Sequence, residues 1–374
     1  MILSDITTIF DCPHSTAPDE GEGYPLIRTP NIGKGRLILD DVHRVCEEVY
    51  NIRNRRAIPQ TNDIIFAREA PAGNAAVITE GQKVCLGQRT VLIRPKPSLV
   101  DAHYLVYFLL APKQQIKLLG YSHGATVGHV NIPDIANLPI ELPLLHEQRK
   151  IASIIENYDN LIEVNNKRIK VLEQIAENLY KEWFVRFRFP GHETAEFENG
   201  IPKGWEYRKL DKLLNVKYGK DHKDIGEGEI PVIGSGGIMR FGDRALYDGE
   251  TVLIPRKGSL NNIMYFNAPF WTVDTMFYSI PLIPNFAKYA YYMLSKVDME
   301  SYNSGAALPS MTTEILCHFK ILVPDAKVLL AFDKYVSDIF NQKQIIQNVN
   351  ANLIRQRDLL LPRLMSGKLE LRQP

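Results

Sequence analysis

The chain has 374 residues, 45% hydrophobic and 23% charged, with a net charge of +1. That length asks for two or more domains, each with its own core, and the near-neutral balance neither demands nor excludes nucleic acid, since charge acts where it meets phosphate. Cys12, Cys46, Cys85 and Cys317 show no zinc or disulfide spacing, no secretory signal is apparent, and the longest apolar run, residues 104–111, is far too short for a bilayer, so the expectation is a cytoplasmic protein without membrane association.

The first region, residues 1–143, is dense in short β-type runs such as Thr90-Val91-Leu92-Ile93, separated by Gly, Pro, Asn and Asp. Residues 103–110 read as a helix. Residues 28–61, rich in Arg and Asp, read as a large surface excursion. Leu142-Pro143 then leads into Glu147-Gln148 and a long amphipathic helix. Its apolar positions fall at alternating steps of four and three: Ile151, Ile155, Tyr158, Ile162, Asn165, Ile169, Leu172, Ala176, Leu179 and Trp183. Only Asn165 breaks that seam. At ~1.5 Å per residue this helix is roughly 58 Å long, which suits a spacer or docking rail better than an ordinary core helix. With Ile155, Ile162 and Ile169 as a positions, the g positions include Ile154, Leu161 and Ile175. A stripe that wide favours docking onto another protein over the alternative that it covers the adjoining domains.

A Pro/Gly-punctuated linker at 190–205 opens the second region, which extends to residue 324. It contains the β-type run Thr251-Val252-Leu253-Ile254 and a helix-like segment at 287–294. Gly234-Ser235-Gly236-Gly237 lacks a following P-loop lysine and reads as a tight turn. Asn267-Ala268-Pro269-Phe270 narrowly misses an adenine-methyltransferase motif, and no Gly-rich cofactor loop precedes it. It reads as a turn before a strand over 271–278. Val323-Pro324 leads into a second long helix with Phe332, Ile339, Ile346, Leu353 and Leu360, one every seven residues.

The halves repeat one another. Leu3-Ser4-Asp5-Ile6 parallels Leu210-Asp211-Lys212-Leu213; Tyr24-Pro25-Leu26-Ile27 parallels Ile230-Pro231-Val232-Ile233. Asn62-Asp63-Ile64-Ile65-Phe66 parallels Gly249-Glu250-Thr251-Val252-Leu253, Gly124-Ala125 parallels Gly305-Ala306, and Leu142-Pro143 parallels Val323-Pro324. The expected fold is therefore α+β: two β-rich domains (1–143 and 190–324) alternating with two long antiparallel coiled-coil helices (144–189 and 325–374) about a pseudo-two-fold repeat. The predicted helix interface comprises Ile151, Ile155, Ile162, Ile169, Leu172, Leu179, Phe332, Ile339, Ile346, Leu353 and Leu360.

Catalytic and metal-ligand motifs are absent from the sequence. What remains is surface suited to DNA. The first domain offers Arg28, Lys34, Arg36, Arg53, Arg55, Arg56, Arg68 and the loop residue Thr126. The second offers Lys217, Lys220, Lys223, Arg240, Arg244, Arg256 and Lys257, with Ser235, Ser259, Asn261 and Asn262 among them. Lys and Arg supply phosphate affinity, while Arg, Asn and Ser can read base edges. On charge alone, a solvated face balanced by Asp and Glu explains these residues equally well. Two basic β-rich modules on a shared ruler favour DNA.

Several motifs carry a family resemblance. Glu147-Gln148-Arg149-Lys150-Ile151-Ala152, continuing to Leu179-Tyr180-Lys181-Glu182-Trp183-Phe184-Val185, resembles the central conserved region of type I restriction-modification specificity subunits. Ile201-Pro202-Lys203-Gly204-Trp205 is similar to the opening of that family's second target-recognition domain. Leu360-Leu361-Pro362-Arg363-Leu364-Met365-Ser366-Gly367-Lys368 resembles its C-terminal ending. The Pro-x-Gly-Trp opening is missing before Leu3, an expected sign of slight truncation. The resemblance implies two target-recognition domains, each reading half of a split, asymmetric duplex site, with the helices as the ruler between half-sites. It implies two modification subunits that use S-adenosylmethionine to methylate adenine, and restriction subunits that use ATP and Mg to translocate and cut. It assigns no cofactor and no catalytic residue to this chain. The alternatives are a methyltransferase or nuclease fused to its own recognition domain, and a coiled-coil scaffold that does not touch DNA.

Overall fold

The computed structural model describes residues 1–120, 129–303, 309–367 and 369. In chain order the elements are α1 (Leu3–Ile6), β1 (Thr7–Asp11), β2 (Tyr24–Ile27), β3 (Gly35–Arg36), β4 (Arg44–Val45), α2 (Glu47–Arg53), β5 (Ile64–Ala67), β6 (Ala75–Val77), β7 (Cys85–Leu86), β8 (Thr90–Pro95), α3 (Ala102–Leu110), α4 (Pro112–Gly120), α5 (Ile132–Ala136) and α6 (Leu145–Tyr180). After a π-helical turn, Lys181–Val185, follow β9 (Phe197–Glu198), β10 (Ile201–Pro202), β11 (Glu206–Lys209), β12 (Leu214–Tyr218), β13 (Ile230–Gly234), β14 (Gly237–Gly242), β15 (Glu250–Pro255) and β16 (Met264–Asn267). The chain ends with β17 (Trp271–Thr272), β18 (Met276–Pro281), α7 (Ala287–Leu294), α8 (Thr313–Cys317), β19 (Lys320–Val323) and α9 (Ala326–Met365).

Two compact units result: residues 1–165 with 348–374, and residues 166–347. Each unit takes part of both long helices, whereas the sequence reading makes each helix a separate domain. The reason is packing. Ile151, Ala152 and Ile155 of α6, with Leu361 and Leu364 of α9, are buried in the core of the first unit. Ala176 and Tyr180 of α6, with Leu329, Phe332 and Val336 of α9, are buried in that of the second.

The repeat in sequence becomes a repeat in topology. The first unit has a sheet ordered β1-β8-β5-β6-β3 and a small sheet ordered β4-β2-β7. The second has β12-β18-β15-β16 and β14-β13-β17. In both small sheets the middle strand pairs antiparallel on one side and parallel on the other. Alternation along the central strands assigns the two faces. Ile64 and Phe66 of β5 pack with α3 and the long helices, while Ile65 and Ala67 pack with Ile27 and Leu86 of the small sheet. Val252 and Ile254 of β15 face α7 and the helices, while Leu253 joins Ile233 and Phe270. In each unit the small sheet therefore lies on the side of the main sheet away from the long helices.

Two expectations need correction. The strand expected over 271–278 is two strands, β17 paired parallel to β13 and β18 paired to β12 and β15. Residues 28–61 are also more than a surface excursion. They supply β3, β4 and α2. Val45 is fully buried, and the buried Arg53 guanidinium donates to the carbonyls of Leu86 and Ser15 at 2.8 and 3.0 Å.

Local polar bonds tie the globular part of each unit to its helices. Gln148, at the head of α6, is buried. It accepts from Asp101 N at 2.9 Å and donates to the carbonyls of Leu99 and Pro143. Asp101 in turn caps α3. Tyr107 Oη donates to Asp159 Oδ2 at 2.6 Å, and Arg357 of α9 bonds the other carboxylate oxygen at 2.7 Å. His103 pairs with Glu156, whose carboxylate holds the imidazolium above its ordinary pKa. In the second unit Lys288 of α7 bonds Asp333 of α9 at 2.8 Å.

The break in the seam at Asn165 has a partner. Asn165 Nδ2 donates to Asn350 Oδ1 at 2.8 Å, and both residues are buried in the first unit. A polar pair inside an apolar seam fixes helix register at some cost in stability. Asn165→Leu alone should destabilise the protein by ~1–3 kcal/mol, because it removes a buried hydrogen-bond partner. Asn165→Leu with Asn350→Leu should recover that loss. Denaturant unfolding of the four proteins of the double-mutant cycle reads the coupling; strictly additive effects would show that the pair is no register lock.

Candidate nucleic-acid interface

The equivalent ends of the two central strands each carry an arginine, and the structure treats the two differently. Arg68, just after β5, is buried. Its guanidinium donates to Val130 O at 3.0 Å and meets Asp11 and His129 at 3.3 and 2.9 Å, while His129 also pairs with Glu69. Arg68 thus holds the chain at Val130; Thr126, Gly124-Ala125 and Gly305-Ala306 lie outside the described residues. Arg36 is bonded to Glu163 and Asn160 of α6, and Lys34 lines a cleft with Tyr107, Asp159 and Arg357. Both of these sit on the helix side of the first unit rather than with the small sheet. Arg28 follows β2 in the small sheet. It is half-buried, and its Nε is buried without a hydrogen-bond partner among the described residues.

In the second unit the cations stand more open. The Arg256 guanidinium lies 5.3 Å from the centroid of the exposed Tyr218 ring and donates to Asp274 O at 3.1 Å. Arg244 lies 5.7 Å from the Trp271 ring. Trp271 Nε1 donates to Lys220 O at 3.0 Å, fixing the start of the loop after β12. Lys217, Lys220, Arg244, Arg256 and Lys257 have no carboxylate partner among the described residues. Lys223 pairs with Asp221.

Other candidates act as struts. Arg240 gives its guanidinium to the carbonyls of Ile225 and His222, holding the loop beside β14. Asn262 Nδ2 donates to Ser235 O at 2.7 Å, which ties the β13–β14 turn to the loop after Arg256. Asn261 bridges Asp298 and Met299 N. These side chains shape the surface rather than project from it. The turn over Ser235 and Gly236 is the tight hairpin turn expected, with Gly234 opposite Gly237 at φ +114°.

Sequence reasoning misses Tyr218, and places Trp271 only as the start of a strand; the fold sets Arg256 over the first ring and Arg244 over the second. Of the seam residues, Ile151, Ile155, Phe332 and Ile346 are buried, and Ile162, Ile169, Leu172, Leu179, Ile339, Leu353 and Leu360 are half-buried. Of the expected g positions Ile154 is half-buried, while Leu161 and Ile175 are exposed. Val164 and Ile354 in the first unit, and Val171 and Ile345 in the second, are exposed as well. Among the described residues no group of three His, Cys, Asp or Glu side chains is arranged to hold a metal ion, and no helix is long and apolar enough to cross a membrane.

Comparison with known proteins gives a consistent result. The sequence model described as "Type I restriction modification DNA specificity domain" matches residues 2–174 and again 202–351. The type I restriction enzyme MjaIX specificity subunit of Methanocaldococcus jannaschii is 27% identical over 347 residues, covering 83% of this chain and 78% of that protein. The MjaVIII specificity subunit of the same organism is 24% identical over 399 residues, covering 96% and 89%. The crystal structure of the type I restriction-modification S subunit from M. genitalium shares the fold, with a TM-score of 0.59 at 17% identity over 97% of this chain and 95% of that one.

Proposed function

The chain belongs to the type I restriction-modification DNA specificity family, and on that premise we propose that each of its two units reads one half of a bipartite, asymmetric duplex site. It is a DNA sequence-specificity subunit, working with DNA and with modification and restriction subunits. In our reading two modification subunits take up the exposed apolar residues of α6 and α9. Adenine methylation with S-adenosylmethionine, and cleavage with ATP and Mg, belong to the partners. This chain then contributes no catalytic group and acts in the cytoplasm. The helices, rather than any loop touching bases, would keep the half-sites at constant spacing.

The observation that carries this reading is the doubled topology. One four-strand order, β1-β8-β5-β6 and β12-β18-β15-β16, occurs twice, each time with a small sheet on the side away from the long helices, and the second unit carries cations without carboxylate partners among the described residues. Lysines there would neutralise phosphates and set affinity and salt dependence. An arginine at a strand end can donate two parallel bonds to guanine.

The site assignment has a direct test. Lys257→Ala should weaken binding to all sequences and lower the salt slope by about one. Arg256→Ala should lose ~1–3 kcal/mol of discrimination at a single base position. Binding curves on target and scrambled duplexes at several salt concentrations separate these effects. Unchanged affinity and slope for both variants would remove these residues from the interface.

A further inference from the structure

The β13–β14 hairpin carries a feature that the cations do not explain. Along β14, Ile238, Met239 and Phe241 are 56%, 57% and 52% exposed. The strand is also an edge of its sheet. An apolar, unpaired edge strand is a liability in water and usually marks a surface that a partner covers.

Its geometry is specific. Val232 faces Arg240 and Ile233 faces Ile238, so Met239 is the extra residue of a β-bulge. A bulge re-aims side chains, and here adjacent Ile238 and Met239 are both left exposed. The hairpin is also rigidly held. Asn262 Nδ2 donates to Ser235 O at the turn, and Gly258 lies so close that a Cβ there would come 2.8 Å from Ser235 Oγ. Arg240 fastens the other side to the 222–226 loop. A flexible loop tip would have none of these ties.

Charge selects the partner. Lys257 adjoins Gly258, whose backbone abuts the turn. Trp271, in the strand bordering β13, lies beside Arg244 and bonds the backbone of Lys220. These cations lack carboxylate partners among the described residues. An exposed apolar strand in a sheet whose opposite edge and turn adjoin cations suits duplex DNA, where phosphates flank a groove floor that displays thymine methyl groups. A two-stranded β-ribbon fits the major groove, roughly 12 Å wide.

We infer that the β13–β14 hairpin enters the major groove and that Ile238 and Met239 are specificity-determining residues of the second unit, making apolar contacts with base edges. This rests on the DNA-specificity reading above and adds a second discriminating element in addition to Arg256. Lysine and arginine contacts to phosphates would position the unit without choosing among bases.

The test uses the full chain assembled with its modification subunits. The wild-type complex first defines the methylated site; failure to methylate any bipartite sequence would overturn the broader reading. Ile238→Ser and Met239→Ser are then assayed on a library randomised across the site. Discrimination should fall about fourfold or more at one or two positions of a single half-site, the value of about one buried methyl group. The other half-site, the salt slope and the unfolding midpoint should stay as in wild type. An unchanged site preference would overturn the inference alone, as would a uniform loss at both half-sites. An unchanged preference together with a change from self-associated to monomeric chain would identify β14 as a contact between copies instead.

Discussion

Exchanging residues 203–324 for the corresponding segment of a relative should rewrite one half-site completely and leave the other unchanged. The limits follow from strand pairing. Glu206–Lys209 pairs with Lys320–Val323, so a cut inside either strand would divide a two-stranded sheet. The segment also has to meet the helices. Phe184, in the π-helical turn after α6, packs against Trp205 and Tyr289 at centroid distances of 6.0 and 4.7 Å, and Tyr180 packs against Tyr292 at 5.7 Å. A donor with aromatic residues at 205, 289 and 292 should be accepted, because the helix side then finds the same shapes. Sequencing of methylated adenines in a host genome reads the outcome. A change in both half-sites would mean that recognition is not divided between the two units.

The second large effect concerns Phe332, which is fully buried in α9. Its ring meets Phe184, Trp183, Tyr292 and Tyr180 at 4.8, 6.0, 6.3 and 6.5 Å between centroids. It thus joins α6, α7 and α9 within the second unit. Phe332→Ala should cost ~3–5 kcal/mol, the usual range for removing a buried ring and leaving a cavity. At ~2–4 °C per kcal/mol for a unit of this size, its unfolding midpoint should fall by roughly 6–20 °C. Phe332→Leu should recover most of that loss, since much of the buried volume returns. Calorimetry gives the midpoint, and binding to half-site duplexes shows whether the second unit still recognises its sequence. A shift below about 2 °C would mean that the ring cluster closes without Phe332.

How much was legible can be seen residue by residue. The seam of α6 was visible because a helix that buries one stripe must space its apolar residues at three and four. The equivalent strands Tyr24–Ile27 and Ile230–Gly234 were visible as repeats, since the same strand in the same environment selects similar residues. The fate of individual cations was not. Arg68 and Arg256 occupy equivalent strand ends, yet Arg68 is enclosed by Asp11, His129 and Val130 while Arg256 stays half-open above Tyr218. Arg36 looked like a surface cation and is engaged by α6. Charge in a sequence carries no direction, and its partner can lie more than a hundred positions away.

The sequence by itself determined the doubled α+β organisation, the two long helices and the family. These follow from periodicity and local motifs, which are properties of neighbouring residues. Only the tertiary structure decided that each compact unit takes part of both helices, that Asn165 meets Asn350, and that the small sheets lie away from the helices. It also decided that Ile238 and Met239 stand exposed on an edge strand. Each of these depends on which distant strands and helices pair, and long-range pairing is settled by the packing of whole faces rather than by the preferences of any short segment.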